Sequence, residues 1–100
     1  MKTTIKKQDG TMVAILEGRL DTASSSQVEQ DLRPLMECSG QDIILDCTLL
    51  TYISSSGLRI FLNIMKSGKA KGCKVFVKGL NADLRNIFTI TGFIKLFDFK

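Results

Sequence analysis

Residues 41–62, QDIILDCTLLTYISSSGLRIFL, decide the fold, because a short apolar run is followed by three hydroxyls, a glycine and the opening of a helical apolar pattern. Ile43-Ile44-Leu45 is too short for a helix and suits a buried parallel strand from Gln41 to Cys47, the candidate centre of a sheet. From Ser56 to Lys69, the residues Leu58, Phe61, Leu62 and Met65 recur at helical spacing, with Arg59, Asn63 and Lys66 on the opposite side. Ser54, Ser55 and Ser56 therefore stand at a helix start, where backbone N–H groups lack partners and the dipole is positive. A short hydroxyl side chain caps such donors, and a phosphate carried on one would be stabilised by the same donors. Two readings follow from the residues alone: a capping cluster that only starts the helix, or a phosphorylation switch. Gly57 either allows a close backbone approach or reflects tight packing, and Tyr52 and Ile53 read as packing residues.

Outward from this stretch, Thr3 to Gln8 and Met12 to Leu16 flank Asp9-Gly10, a strong signal for an antiparallel hairpin. Ser24 with Gln27 forms a capping box, and Val28, Leu32, Leu35 and Met36 share a helical face, which predicts a first helix from about Ser24 to Cys38. Pro34 lies inside it, where proline costs roughly 3 kcal/mol in an unkinked helix, so the helix kinks or ends early there. Cys73 to Lys78 alternates as a strand. Asn81 caps a third helix carrying Leu84, Ile87, Phe88 and Thr91 before Gly92, and Leu96 to Phe99 gives a last short strand. The order is β-β-α-β-α-β-α-β, with the later strands parallel and helices packed on the sheet. The expected buried set includes Val13, Ile15, Ile44, Leu58, Leu62, Val75, Leu84 and Phe88.

Composition excludes several classes. One hundred residues make one domain, able to bury roughly 60 to 68% of the surface of its unfolded chain. With 44% hydrophobic and 24% charged residues it reads as a soluble globular protein. No apolar run approaches the roughly 20 residues of a membrane span, and Met1-Lys2-Thr3-Thr4 lacks a signal-peptide core, so a cytoplasmic location without membrane attachment is expected. The chain has no histidine, which removes Ser-His and Cys-His nucleophile pairs, histidine-based zinc sites and, with them, most hydrolase chemistry; no metal or cofactor is expected. Cys38, Cys47 and Cys73 form no C-x-x-C pair and read as small buried hydrophobes, with Cys38 the one candidate for a reactive thiol. A net charge of +4 is scattered instead of forming a stripe, which disfavours direct nucleic-acid binding.

In an α/β layout, ligands and partners meet loops at the carboxyl ends of parallel strands. Two such loops stand out, Gly18-Arg19-Leu20-Asp21-Thr22 and Leu50 to Gly57. If their strands are neighbours, Asp21 lies beside the serine cluster, where its carboxylate could accept a serine hydroxyl, hold a partner's cation, or simply cap the first helix.

Gly18-Arg19-Leu20-Asp21, Ile43-Ile44-Leu45-Asp46, Tyr52-Ile53-Ser54-Ser55-Ser56-Gly57-Leu58, Leu84-Arg85-Asn86-Ile87-Phe88 and Thr91-Gly92-Phe93 together make the chain resemble a STAS domain over nearly its whole length. That family covers anti-sigma factor antagonists and the cytoplasmic tails of sulfate transporters. The resemblance implies a mixed, mostly parallel sheet with an N-terminal antiparallel hairpin and about three main helices packed on it. It also implies a phosphorylatable serine at the start of the second helix, a partner that is both anti-sigma factor and serine kinase, and an opposing serine phosphatase. The family's usual segment has aspartate before the phosphorylated residue. Aligned on Gly57, the acceptor is Ser55, with Ser56 as the fallback, and Ser54 stands where the aspartate is expected. Asp21 falls on the aspartate of the family's Gly-x-Leu-Asp segment. The implied partner-binding residues are Asp21, Thr22, Ser54, Ser56, Gly57, Leu58, Arg59 and Asn63. The alternatives are a small anion- or nucleotide-binding module, which lacks a Walker-type loop and a Gly-x-Gly-x-x-Gly run here, and an adaptor that is never phosphorylated.

Overall fold

The computed structural model describes residues 1–37 and 40–100, so Cys38, the expected end of the first helix and candidate reactive thiol, lies outside the described residues. β1 (Lys2–Gln8) and β2 (Thr11–Leu20) pair antiparallel from Gln8↔Thr11 to Lys2↔Glu17. Asp9 and Gly10 turn the chain with φ of 49° and 78°, the left-handed conformation that Asp-Gly tolerates.

The first helix starts before the expected Ser24 and breaks beside Pro34, as the proline predicts. α1 (Thr22–Asp31) is capped by Asp21, and Ser24, read as the cap, is the third helical residue of Asp21's own capping box. The chain breaks at Leu32 and resumes as α2 (Arg33–Met36), which places Pro34 in a first turn, where its missing N–H leaves no hydrogen bond unmade. The lysine ammonium of Lys71 and the hydroxyl of Ser67 donate to the carbonyl of Met36, holding the end of α2 against the following helix.

β3 (Asp42–Ile53) runs parallel to β2 from Thr11↔Asp42 to Leu20↔Ile53. Gly18 to Leu20 and Leu50 to Ile53, expected in loops, are therefore strand. Two register shifts, between Ile15 and Glu17 and between Gly18 and Arg19, absorb extra residues on β3 and let pairing continue. At the second, Gly18 adopts φ 101° and its carbonyl accepts the Thr51 hydroxyl at 2.9 Å. α3 (Ser55–Ala70) follows, then β4 (Val75–Lys78), α4 (Ala82–Ile90), a single 3₁₀ turn (Phe93–Lys95) and β5 (Asp98–Phe99), which is shorter than the expected strand from Leu96. Asn81 caps α4 through the Leu84 N–H at 2.8 Å, as its position predicts. The sheet order is β1-β2-β3-β4-β5, so β3 is central and every pair after the hairpin is parallel.

Alternate strand residues enter one core: Ala14 and Leu16 on β2, Ile43, Leu45 and Cys47 on β3, Val75 and Val77 on β4, joined by residues of all four helices. Phe61 on α3 meets Phe88 on α4 edge-on with centroids 6.1 Å apart, and Phe88 in turn meets Phe93, Phe97 and Phe99. Because the helices share this face, Val13, Ile15 and Ile44 on the other face are only half-buried, contrary to expectation. Leu62 is likewise half-buried at the margin of the core, and Ile60 and Ile64 are buried instead. Leu58, Val75, Leu84 and Phe88 are buried as expected. Among the described residues, no helix is long and apolar enough to cross a membrane.

Candidate functional site

The parallel pairing of β2 and β3 ends in a single backbone contact: the Ser54 N–H donates to the Leu20 carbonyl at 2.8 Å. The next residue after Leu20 is Asp21, so the caps of α1 and α3 leave the sheet from paired strand ends. This is the neighbourhood anticipated between Asp21 and the serines.

The bonding at Asp21 follows the capping alternative, since its side chain caps α1. Its Oδ1 accepts the Ser24 N–H and lies 3.0 Å from the Ser24 hydroxyl, and the Asp21 N–H donates to Ser24 Oγ at 3.1 Å. The serine that Asp21 holds is thus Ser24, not a member of the 54–56 cluster. The backbone N–H of Ser24, then its hydroxyl, then the nearby Arg19 charge, hold the Asp21 carboxyl below its ordinary value of 3.8. Asp21 stays an anion at the mouth of α1. Beside it, the Arg19 guanidinium lies 4.4 Å from the centre of the Tyr52 ring, a cation–π contact between paired residues of β2 and β3.

Three of the expected site residues are buried. Ser54 is 9% exposed, and its Oγ accepts the Gly57 N–H at 3.2 Å, making it the cap of α3. Gly57 has ordinary helical φ; its role is closeness, since a Cβ there would lie 2.7 Å from Leu20 Cγ and 2.8 Å from Ile53 Cγ1. Leu58 belongs to the core. Ser54, Leu58 and the bare backbone of Gly57 seat the helix start against the strand ends, beneath the surface. Accessible at the same place are Thr22, Ser55, Arg59 and Asn63, which are exposed, and Asp21 and Ser56, which are half-buried.

Ser55, Arg59 and Asn63 follow one another at four-residue intervals, so they form one ridge of α3. Ser56, Arg59, Ile60 and Asn63 face Ser25 and Glu29 of α1 across a cavity of about 160 Å³. Ser25 and Glu29 were missed by reading the sequence. Their own four-residue spacing was the available signal, but nothing in the sequence showed that α1 and α3 would lie side by side.

Ser55 and Ser56 are the first two residues of α3, so their N–H groups have no partner within the helix, whereas that of Gly57 is taken by Ser54. A phosphate oxygen on either hydroxyl would meet free donors and the positive end of the dipole. Other chemistry is poorly supplied. Among the described residues no group of three or more His, Cys, Asp or Glu could hold a metal ion. Cys47 and Cys73 are buried, and burial, followed by the Asp46 charge, pushes the Cys47 thiol up to about 12, far from a reactive thiolate.

The model of the STAS domain family matches residues 2–100 of the chain. BtrV of Bordetella bronchiseptica, provisionally named an anti-sigma factor antagonist, is 33% identical over 97% of this chain and 84% of that protein. The anti-sigma-B factor antagonist of Bacillus subtilis is 27% identical over 94% of this chain and 85% of its own length. In fold, the chain is similar to the crystal structure of another provisional antagonist, from Thermotoga maritima, with a TM-score of 0.88 over 97% of this chain and 84% of that one at 16% identity. With its strand order, its capped pair of helix starts and this match over nearly every residue, the chain belongs to the STAS domain family, among relatives named as anti-sigma factor antagonists.

Proposed function

We propose that this chain is an anti-sigma factor antagonist that binds an anti-sigma factor with serine-kinase activity and is released when that kinase phosphorylates Ser55. One observation carries the reading. Of the three serines at the start of α3, Ser54 is buried as the cap, Ser56 turns into the cavity beside α1, and Ser55 is the exposed one. A kinase needs an accessible hydroxyl, and a phosphate at a first helical turn is compatible with the fold.

In the unmodified state the binding surface consists of Asp21, Thr22, Ser55, Ser56, Arg59 and Asn63, with Ser54, Gly57 and Leu58 fixing the geometry beneath. Transfer of a phosphoryl group from a nucleoside triphosphate to Ser55 Oγ adds about −1.5 to −2 charges at neutral pH. A partner packed against the hydroxyl and facing the Asp21 carboxylate then meets two like charges in a desolvated interface, and binding fails while the helix start is preserved. The kinase and an opposing serine phosphatase supply the chemistry, and the domain, acting as one unit over residues 1–100, regulates transcription by occupancy of its partner. A cytoplasmic site of action, without direct contact to nucleic acid or membrane, belongs to the same reading.

Intact-mass analysis of the protein purified from its native cells, with and without phosphatase treatment, tests it. The expected result is a phosphatase-sensitive addition of one phosphate that maps to Ser55 and is absent from Ser55→Ala. A protein that is never phosphorylated under any growth condition overturns the switch.

A further inference from the structure

The guanidinium of Arg59 makes no hydrogen bond, ion pair or ring contact with any other described residue. It sits one helical turn beyond Ser55, on the same ridge, and lines the cavity that separates α3 from α1. Its charged neighbours there are few: among the described residues Glu29 is the only acidic one lining the cavity, and Asp21, at the mouth of α1, has its carboxylate engaged by Ser24. An arginine left without a partner beside an exposed hydroxyl, with two free backbone N–H groups at the same turn, is a set of donors without an acceptor.

We propose that Arg59 is the intramolecular counter-ion of a phosphate on Ser55, so that modification withdraws this side chain from the partner surface at the moment it adds negative charge. The inference rests on the assignment of Ser55 as the acceptor. Residues four apart on a helix face each other, and a phosphate N-terminal to a cation also has the favourable orientation with respect to the dipole. The guanidinium fork suits a phosphate dianion in a way a lysine ammonium does not. In the unmodified chain Arg59 is free to meet an acidic group of the partner. In the modified chain it is folded back along its own helix. Phosphorylation therefore removes an attractive contact as well as introducing repulsion. The wall carrying Glu29 favours Ser55 over Ser56 as the acceptor, since a phosphate on Ser56 would enter the cavity that this carboxylate lines.

The test uses the full chain with phosphoserine incorporated biosynthetically at position 55, which makes it independent of any kinase. ³¹P NMR titration reads the second ionisation of the phosphate in the otherwise wild-type protein, in Arg59→Gln and in Asn63→Ala. The expected result is an ionisation about half a pH unit lower with Arg59 than with Arg59→Gln, a partial return in Arg59→Lys, and no change in Asn63→Ala. Circular dichroism confirms that each variant is folded. Equal titration midpoints in wild type and Arg59→Gln overturn the counter-ion while leaving the assignment of Ser55 untouched, whereas native protein that never carries phosphate overturns that assignment and, with it, the withdrawal of Arg59 from the partner surface.

Discussion

The 2.8 Å hydrogen bond from the Ser54 N–H to the Leu20 carbonyl closes the β2–β3 ladder and sets two helix caps next to each other. Asp21 follows directly from Leu20, and α3 follows directly from Ser54. Everything proposed for this surface depends on the two helices leaving the sheet from that point, so the most useful substitutions alter how they are seated.

Gly57→Ala is expected to destabilise the fold by about 1 to 3 kcal/mol, because the new methyl group would overlap Leu20 and Ile53 at 2.7 and 2.8 Å. Its helical φ is normal, so alanine's better helix propensity works in the opposite direction and overpacking must win for the prediction to hold. Urea denaturation measures the balance, and a variant as stable as wild type would show that the helix start can shift freely away from the strands.

Ser54→Ala removes the oxygen that accepts the Gly57 N–H and should cost roughly 0.5 to 2 kcal/mol, whereas Ser54→Asp keeps a capping oxygen and should recover most of that loss. Thermal denaturation of the two variants in parallel checks the pair. Equal midpoints for alanine and aspartate would remove Ser54 from the role of cap.

Asp21 gives a pH signature. Its folded-state ionisation lies below the unfolded value of 3.8, so its contribution is present above that value and disappears as pH falls through the lower, folded one. Asp21→Asn retains a capping oxygen but cannot ionise. The stability difference between wild type and Asp21→Asn should therefore be larger at pH 7 than at pH 3 and shrink as acid is added. A difference independent of pH over that range would contradict the hydrogen bonding at Ser24.

In the core, Phe61→Ala should cost about 3 to 5 kcal/mol, since its ring is fully buried and meets Phe88 and Phe97. Leu62→Ala should cost distinctly less than that, because Leu62 only borders the core. Guanidinium unfolding ranks them, and the reverse order would mean that α3 is rotated on the sheet.

Much of this architecture is legible in the residues. Asp9-Gly10, Asn81 and the apolar run at Ile43 act locally, through backbone conformations and donors within a few positions, so their turn, cap and strand were readable. What failed depends on contacts between distant segments. Thr48 and Thr51 interrupt the alternation of β3, and only pairing with β2, with its two register shifts, shows that the strand continues to Ile53. Asp21-Ser24 and Ser24-Gln27 are overlapping capping boxes, and the strand end at Leu20 selects the first. Val13, Ile15 and Ile44 have the spacing of core residues, yet whether helices cover one face or two is a property of the assembled sheet. At the site, the serines and Asp21 were legible as a pair of motifs, but Glu29 and Ser25 became visible only when α1 and α3 lay together.

The central claim is that phosphate on Ser55 controls partner binding. The most direct measurement is isothermal titration calorimetry of the anti-sigma kinase recovered from the native cells against two forms of the chain, one unmodified and one with phosphoserine at position 55. The account predicts tight binding of the unmodified form and at least about tenfold weaker binding of the phosphorylated form, a difference of about 1.4 kcal/mol. Equal affinities for two equally folded forms would contradict it.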